Sequence, residues 1–157
     1  MKKKKLYEEF ESNRENGKFH KIADDMIKSI VWQSLSLIER ALYYEFKAKF
    51  TKYKDGTTNT NDISMPRSEY TKLMNERTFW KCVDNLIELG FLRVVESRWT
   101  TRECTIYGFS TQWKYFNTDK FKINECDRRA KRTFTKEHRE NVIKALELTN
   151  TKKLKSK

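Results

Sequence analysis

No stretch of this chain approaches the ~20 consecutive apolar residues that a membrane-spanning helix requires. The start, Met1-Lys2-Lys3-Lys4-Lys5, has the basic opening of a secretion signal. Acidic Glu8, Glu9 and Glu11 follow in place of an apolar segment, which predicts a cytoplasmic protein. Cysteine is scarce: Cys82, Cys104 and Cys126 are odd in number, far apart and in no C-x-x-C pair. That spacing argues against a disulfide framework or a zinc site, so ordinary reduced residues are expected, with Cys82 and Cys104 in or near the core. His20 and His138 stand alone. There is no glycine-rich phosphate loop, no H-E-x-x-H, and no Ser/His/Asp or Cys/His grouping. The expectation is a protein that is not an enzyme, with no cofactor and no metal.

Positive charge is what the chain has in excess. The net charge is +12, and it is unevenly spread: +1 over residues 1–16, +3 over 17–119 and +8 over 120–157. A basic C-terminal third suits a polyanionic partner whose affinity falls as salt rises, and it equally suits a solvated tail without specific contacts. With 37% hydrophobic and 13% aromatic residues, a core of about 100 residues can be built from Phe, Tyr, Trp and Leu.

The most informative stretch runs from Asp62 to Phe91. It reads as a short strand, a short helix, a break at Met74-Asn75, and a second helix that ends at Gly90. Asn75 is the expected N-cap. At 100° per residue, Phe79, Val83, Leu86 and Ile87 share one face of the second helix. Arg77, Lys81, Asp84 and Glu88 fall opposite, flanked by Thr78 and Asn85. Trp80 lies at the edge of both faces. The outward cations and amides sit at the N-terminal end, the end a helix presents to base edges in a DNA major groove.

Elsewhere, residues 1–18 form an arm, either frayed or an isolated amphipathic turn carrying Leu6, Tyr7 and Phe10. Asp24 to Trp32 reads as a first helix. Ser36-x-x-Glu39 has capping-box spacing, and the helix behind it is expected to reach about Tyr53 with Ile38, Leu42, Phe46 and Phe50 inward. Residues 54–62 are a loop by composition. Pro66 opens the next helix, whose inner face is Tyr70, Leu73 and Met74. Residues 91–96 and 103–109 alternate as strands around a polar tip, Ser97 to Arg102. That tip lacks Asn-Gly or Asp-Gly, so the connection should exceed two residues. Ser110 to Phe116 adds aromatics that close the core. Thr135 to Leu148 can form a helix with Val142, Ile143 and Leu146 on one face.

Helix, helix, short strand, helix, helix and basic hairpin is the order of a winged helix-turn-helix, mainly α with a small β-hairpin (α+β). The domain would span 19–121, between the arm 1–18 and a basic extension 122–157 with its helix at 135–148. Through Ser29 to Leu42, Asn85-Leu-Ile-Glu-Leu-Gly-Phe91 and Tyr107-Gly-Phe-Ser-Thr-Gln-Trp113, the chain resembles small winged-helix proteins of phages, plasmids and conjugative elements of Gram-positive bacteria. The resemblance implies sequence-dependent binding of double-stranded DNA in replication, transfer or transcription control. Under it, Arg77 would contact guanine, Asn85 and Thr78 would be lesser readers, and Lys81 would reach a base or a phosphate. Arg98 and Arg102 would touch the backbone or minor groove, with Trp99 against sugars. Arg67, Ser68 and Tyr70 would position phosphates.

Blander readings stand beside these. Arg77 can pair with Glu76 or Asp84, Arg98 and Arg102 can simply keep a hairpin soluble, and Trp99 can mark a protein interface. Two other functions compete. One is an adaptor that docks a replication or transfer protein through residues 135–148. The other is single-strand binding, with Trp99, Trp113 and Tyr115 as stacking platforms.

Overall fold

The computed structural model describes residues 20–98 and 103–122. The arm 1–18, Trp99, Arg102, Cys126 and the 135–148 helix lie outside the described residues.

Asp24 to Trp32 is two helices rather than one. Helix α1 (Asp24–Lys28) stops at Ser29, whose backbone is extended, and α2 (Ile30–Ser34) begins after it. The Ser29 hydroxyl makes the break tolerable. It donates to the Met26 carbonyl at 2.7 Å and accepts the Trp32 N–H at 3.1 Å, serving the end of one helix and the start of the next.

Helix α3 (Leu37–Ala48) opens with the expected capping box. Ser36 Oγ accepts the Glu39 N–H at 3.3 Å, while the Ser36 N–H donates to Glu39 Oε2 at 2.6 Å. The helix ends five residues before Tyr53. The Asn59 side chain supplies the reason, donating to the Lys49 carbonyl at 2.9 Å and accepting the Thr51 N–H at 2.7 Å. Those bonds replace helical ones and turn the chain into a small hairpin, bridged at Lys52–Thr58 and reversed at Gly56. The inward face is also rotated. Leu42, Tyr43 and Phe46 are buried with Glu39, whereas Ile38 is 51% exposed. Glu39 goes inside because its carboxylate is consumed by hydrogen bonds.

Strand β1 (Ile63–Ser64) leads through Pro66, which occupies the N-cap position, into α4 (Arg67–Tyr70). Asn75 caps α5 (Glu76–Glu88), accepting the Thr78 N–H at 2.8 Å. At the far end Gly90 takes φ +78°, which lets Phe91 N–H reach the Leu86 carbonyl and Gly90 N–H reach that of Ile87. A side chain there is excluded twice over, because a Cβ would sit 2.6 Å from the Trp113 nitrogen. Strands β2 (Leu92–Glu96) and β3 (Ile106–Phe109) pair antiparallel, with an irregularity between Val94 and Glu96. The three strands lie in the order β1-β3-β2. The β2–β3 connection spans 97–105, longer than two residues as expected.

The result is a mixed α+β body. Its aromatic core centres on Phe91, which meets Trp32 and Tyr43 edge-on at 5.6 and 5.8 Å and Trp113 face-on at 6.1 Å. Phe46 packs on Tyr107 beneath the sheet. Trp113 and Phe116 join from the short turn Gln112–Tyr115, closing the core as the sequence suggests. Among the described residues, no helix is long and apolar enough to cross a membrane. Cys82 is buried, but Cys104 is exposed, contrary to its expected place near the core.

Candidate functional site

Sheet register decides what can act together. Ser64 lies opposite Ile106, and Ile106 lies opposite Glu96. One end of the sheet therefore launches both the α4–α5 pair and the β2–β3 connection. The cations to be weighed are at this end.

On α5 only the first turn and a half faces water. Glu76, Arg77 and Lys81 are exposed and Thr78 and Trp80 half-buried, while from Cys82 onward the helix is covered on nearly every side. Arg77 pairs with neither acid considered for it. Glu76 instead bonds Arg67 at 3.3 Å and accepts from Trp80 Nε1 at 3.3 Å, and Asp84 is buried rather than outward. Arg77 and Lys81 have no hydrogen bond or ion pair among the described residues. They stand one helical turn apart, two uncompensated charges on one exposed ridge.

Two nominated residues are not at the surface to be read. Asn85 is half-buried and donates its Nδ2–H to Glu39 Oε1 at 2.7 Å, joining α5 to α3. Tyr70 is buried and stacks on Phe79 with centroids 3.9 Å apart, so it holds α4 on α5 and cannot position a phosphate. Of the other inner-face residues expected for α4, Leu73 is exposed, while Met74 packs against the core. Ser68 is exposed on α4, and Arg67 is exposed but tied to Glu76.

Arg98 is at the mouth of the β2–β3 connection, with a guanidinium already committed. It donates to Glu96 at 2.8 Å and pairs with Glu103 at 3.4 Å, bridging the ends of the two strands. The hydrogen bond from Arg98 holds the Glu96 carboxyl below its ordinary range, and the same bond raises Arg98. Its charge is largely cancelled where it stands. The Trp113 platform is occupied too, with one face lying on Phe91.

Glu76 is the residue that sequence reasoning passed over. It gathers Arg67 and Trp80 around the tip of α5, and its i,i+4 spacing to Trp80 was the available signal. The Cys82 thiol is pushed up, first by burial and then by the nearby Glu39 carboxylate, so it stays protonated and unreactive. At the opposite end of β2, a cleft of about 410 Å³ is lined by Gly90, Arg93, Ser110, Gln112 and Lys122 among others. Among the described residues its lining holds cations and hydroxyls but no carboxylate, thiol or imidazole.

Comparison with known protein families, curated proteins and solved structures returns no match to this chain.

Proposed function

We propose that this domain is a winged helix-turn-helix that binds double-stranded DNA, with α5 as the reading helix and the β2–β3 connection as the wing. The observation that carries the reading is the Arg77–Lys81 ridge. It pairs two exposed cations on the N-terminal tip of α5 that have no ion pair among the described residues, in a chain of net charge +12. The element order α3-β1-α4-α5-β2-β3 and the strand order β1-β3-β2 support it, since the α4–α5 pair and the β2–β3 connection leave the same end of the sheet.

In this reading Arg77 contacts guanine and Lys81 a phosphate, with Thr78 beside them. Arg67 and Ser68 sit where the backbone of the duplex would pass. Arg98 shapes the wing more than it contacts DNA. The role of such binding in replication, transfer or transcription of a mobile element rests on the family resemblance alone.

The test is duplex binding across a salt series, followed by selection from a random duplex pool. The logarithm of affinity should fall linearly with the logarithm of salt. Arg77→Ala should relax preference at one position, by about 1–3 kcal/mol. Lys81→Ala should weaken all sequences alike and lower the salt slope by about one. Failure of the intact chain to bind any duplex at low salt would overturn the proposal.

A further inference from the structure

Helix α3 carries a second apolar stripe on the side away from its buried face, touching the core only where the Tyr44 ring meets Trp32 edge-on at 6.0 Å. Leu37, Ala41, Tyr44 and Ala48 recur at i, i+4, i+7 and i+11, which places them within a narrow band of the helix surface. All four are exposed, Leu37 by 79% and Tyr44 by 47%. Ile38 flanks the band and is exposed as well.

The order of sizes along this stripe is large, small, large, small. A two-fold axis crossing α3 midway between Leu42 and Tyr43 would lay a second α3 antiparallel on the first. Leu37 would then face Ala48 of the other copy, and Tyr44 would face Ala41. Every large side chain meets a small one, the interdigitation that close packing needs. A stripe that is its own complement under a two-fold is the signature of an isologous contact.

We propose that this face of α3 joins two copies of the chain as an antiparallel helix pair. The available area sets its strength. A 12-residue helix is about 18 Å long. The stripe with Ile38 offers on the order of 300–400 Å², against ~800 Å² per partner in a stable interface. The dimer is therefore weak and concentration-dependent. It uses a different face from the Arg77–Lys81 ridge, and it stands or falls independently of DNA binding.

The experiment follows mass against concentration for the full chain, by light scattering or equilibrium ultracentrifugation, in the absence of nucleic acid. Leu37→Glu places an acid in the first turn of α3, and Ala48→Arg places a cation in its last turn. Both suit the helix dipole, so neither should unfold the protein. Each alone should weaken association at least tenfold, since a charge would face an apolar residue of the other copy. Together in one chain they should restore it, because each new acid meets a new cation across the axis. A chain that stays monomeric to millimolar concentration overturns the proposal, as does a dimer that ignores both single changes. Association that is lost in the single variants and not recovered in the double one overturns the antiparallel pairing. Faster hydrogen exchange in residues 1–18 or 135–148 of a monomeric Leu37→Glu variant would show instead that the chain covers its own stripe.

Discussion

Replacing Asn85 by alanine separates a structural residue from a reading residue on the same helix. Its Nδ2–H donates at 2.7 Å to a carboxylate, Glu39, that is only 7% exposed. A hydrogen bond to a charged group contributes about 1.5–3 kcal/mol, and its loss leaves Glu39 Oε1 buried without that donor. Asn85→Ala should therefore destabilise by roughly that amount. For a body of about 100 residues this lowers the melting temperature by about 4–8 °C per kcal/mol. Glu39→Ala removes the same bond together with the capping box, which adds about 1 kcal/mol. The double variant should cost less than the two singles combined, with a coupling of about 1–3 kcal/mol, because both singles break one shared contact. Calorimetry or circular dichroism gives the stabilities, and duplex selection gives the base preference. Asn85→Ala should lower stability and leave preference unchanged. An unaltered melting temperature with a changed preference would refute the reasoning and return Asn85 to the reading face.

Two further outcomes follow from burial and backbone geometry. Tyr43 is buried against Trp32 and Phe91, and burial followed by the neighbouring Tyr44 pushes its hydroxyl up from 10 to about 12. Below pH ~10 both folded and unfolded chains keep this proton. Between pH ~10 and ~12 the unfolded chain releases it first, so stability falls by up to ~1.4 kcal/mol per pH unit. Denaturant titrations at stepped pH should show this component vanish in Tyr43→Phe, and an unchanged alkaline profile would contradict it. Gly90→Ala should cost about 1–3 kcal/mol for positive φ alone, and more once its Cβ meets the Trp113 nitrogen. Gly56→Ala also has positive φ but an open surrounding, so it should cost clearly less. Equal melting temperatures for the two variants would count against the close packing at Gly90.

Local chemistry was legible before any coordinates. Ser36 with Glu39, Asn75 before its helix and Gly90 after it each announce a helix end within a few residues, and each holds. The alternating strands around 91–109 were equally readable. Partners distant in sequence were not. Asn85 looks polar and outward on a wheel, and only the fold reveals a carboxylate 46 residues earlier waiting beside it. The end of α3 depended on Asn59, eleven residues beyond Ala48. On α3 the wheel put Ile38 inward, whereas the fold exposes it and buries Tyr43 beside the capping residue Glu39. Of the proposed contacts, Arg77 and Lys81 were found where the pattern put them, whereas Tyr70 was claimed by Phe79.

The aromatic ledge formed by Trp113 over Phe91 has a practical corollary for anyone trimming this protein. Strand β3 finishes at Phe109, yet the body does not finish there. A version cut after the last strand would uncover the Phe91 ring, and with it the edges of Trp32 and Tyr43, and would become sticky rather than smaller. The cut has to fall beyond Phe121, which is buried and leans on Phe116 at 5.3 Å. Because Trp113 and Trp32 rest on the same ring, their emission should shift together on melting.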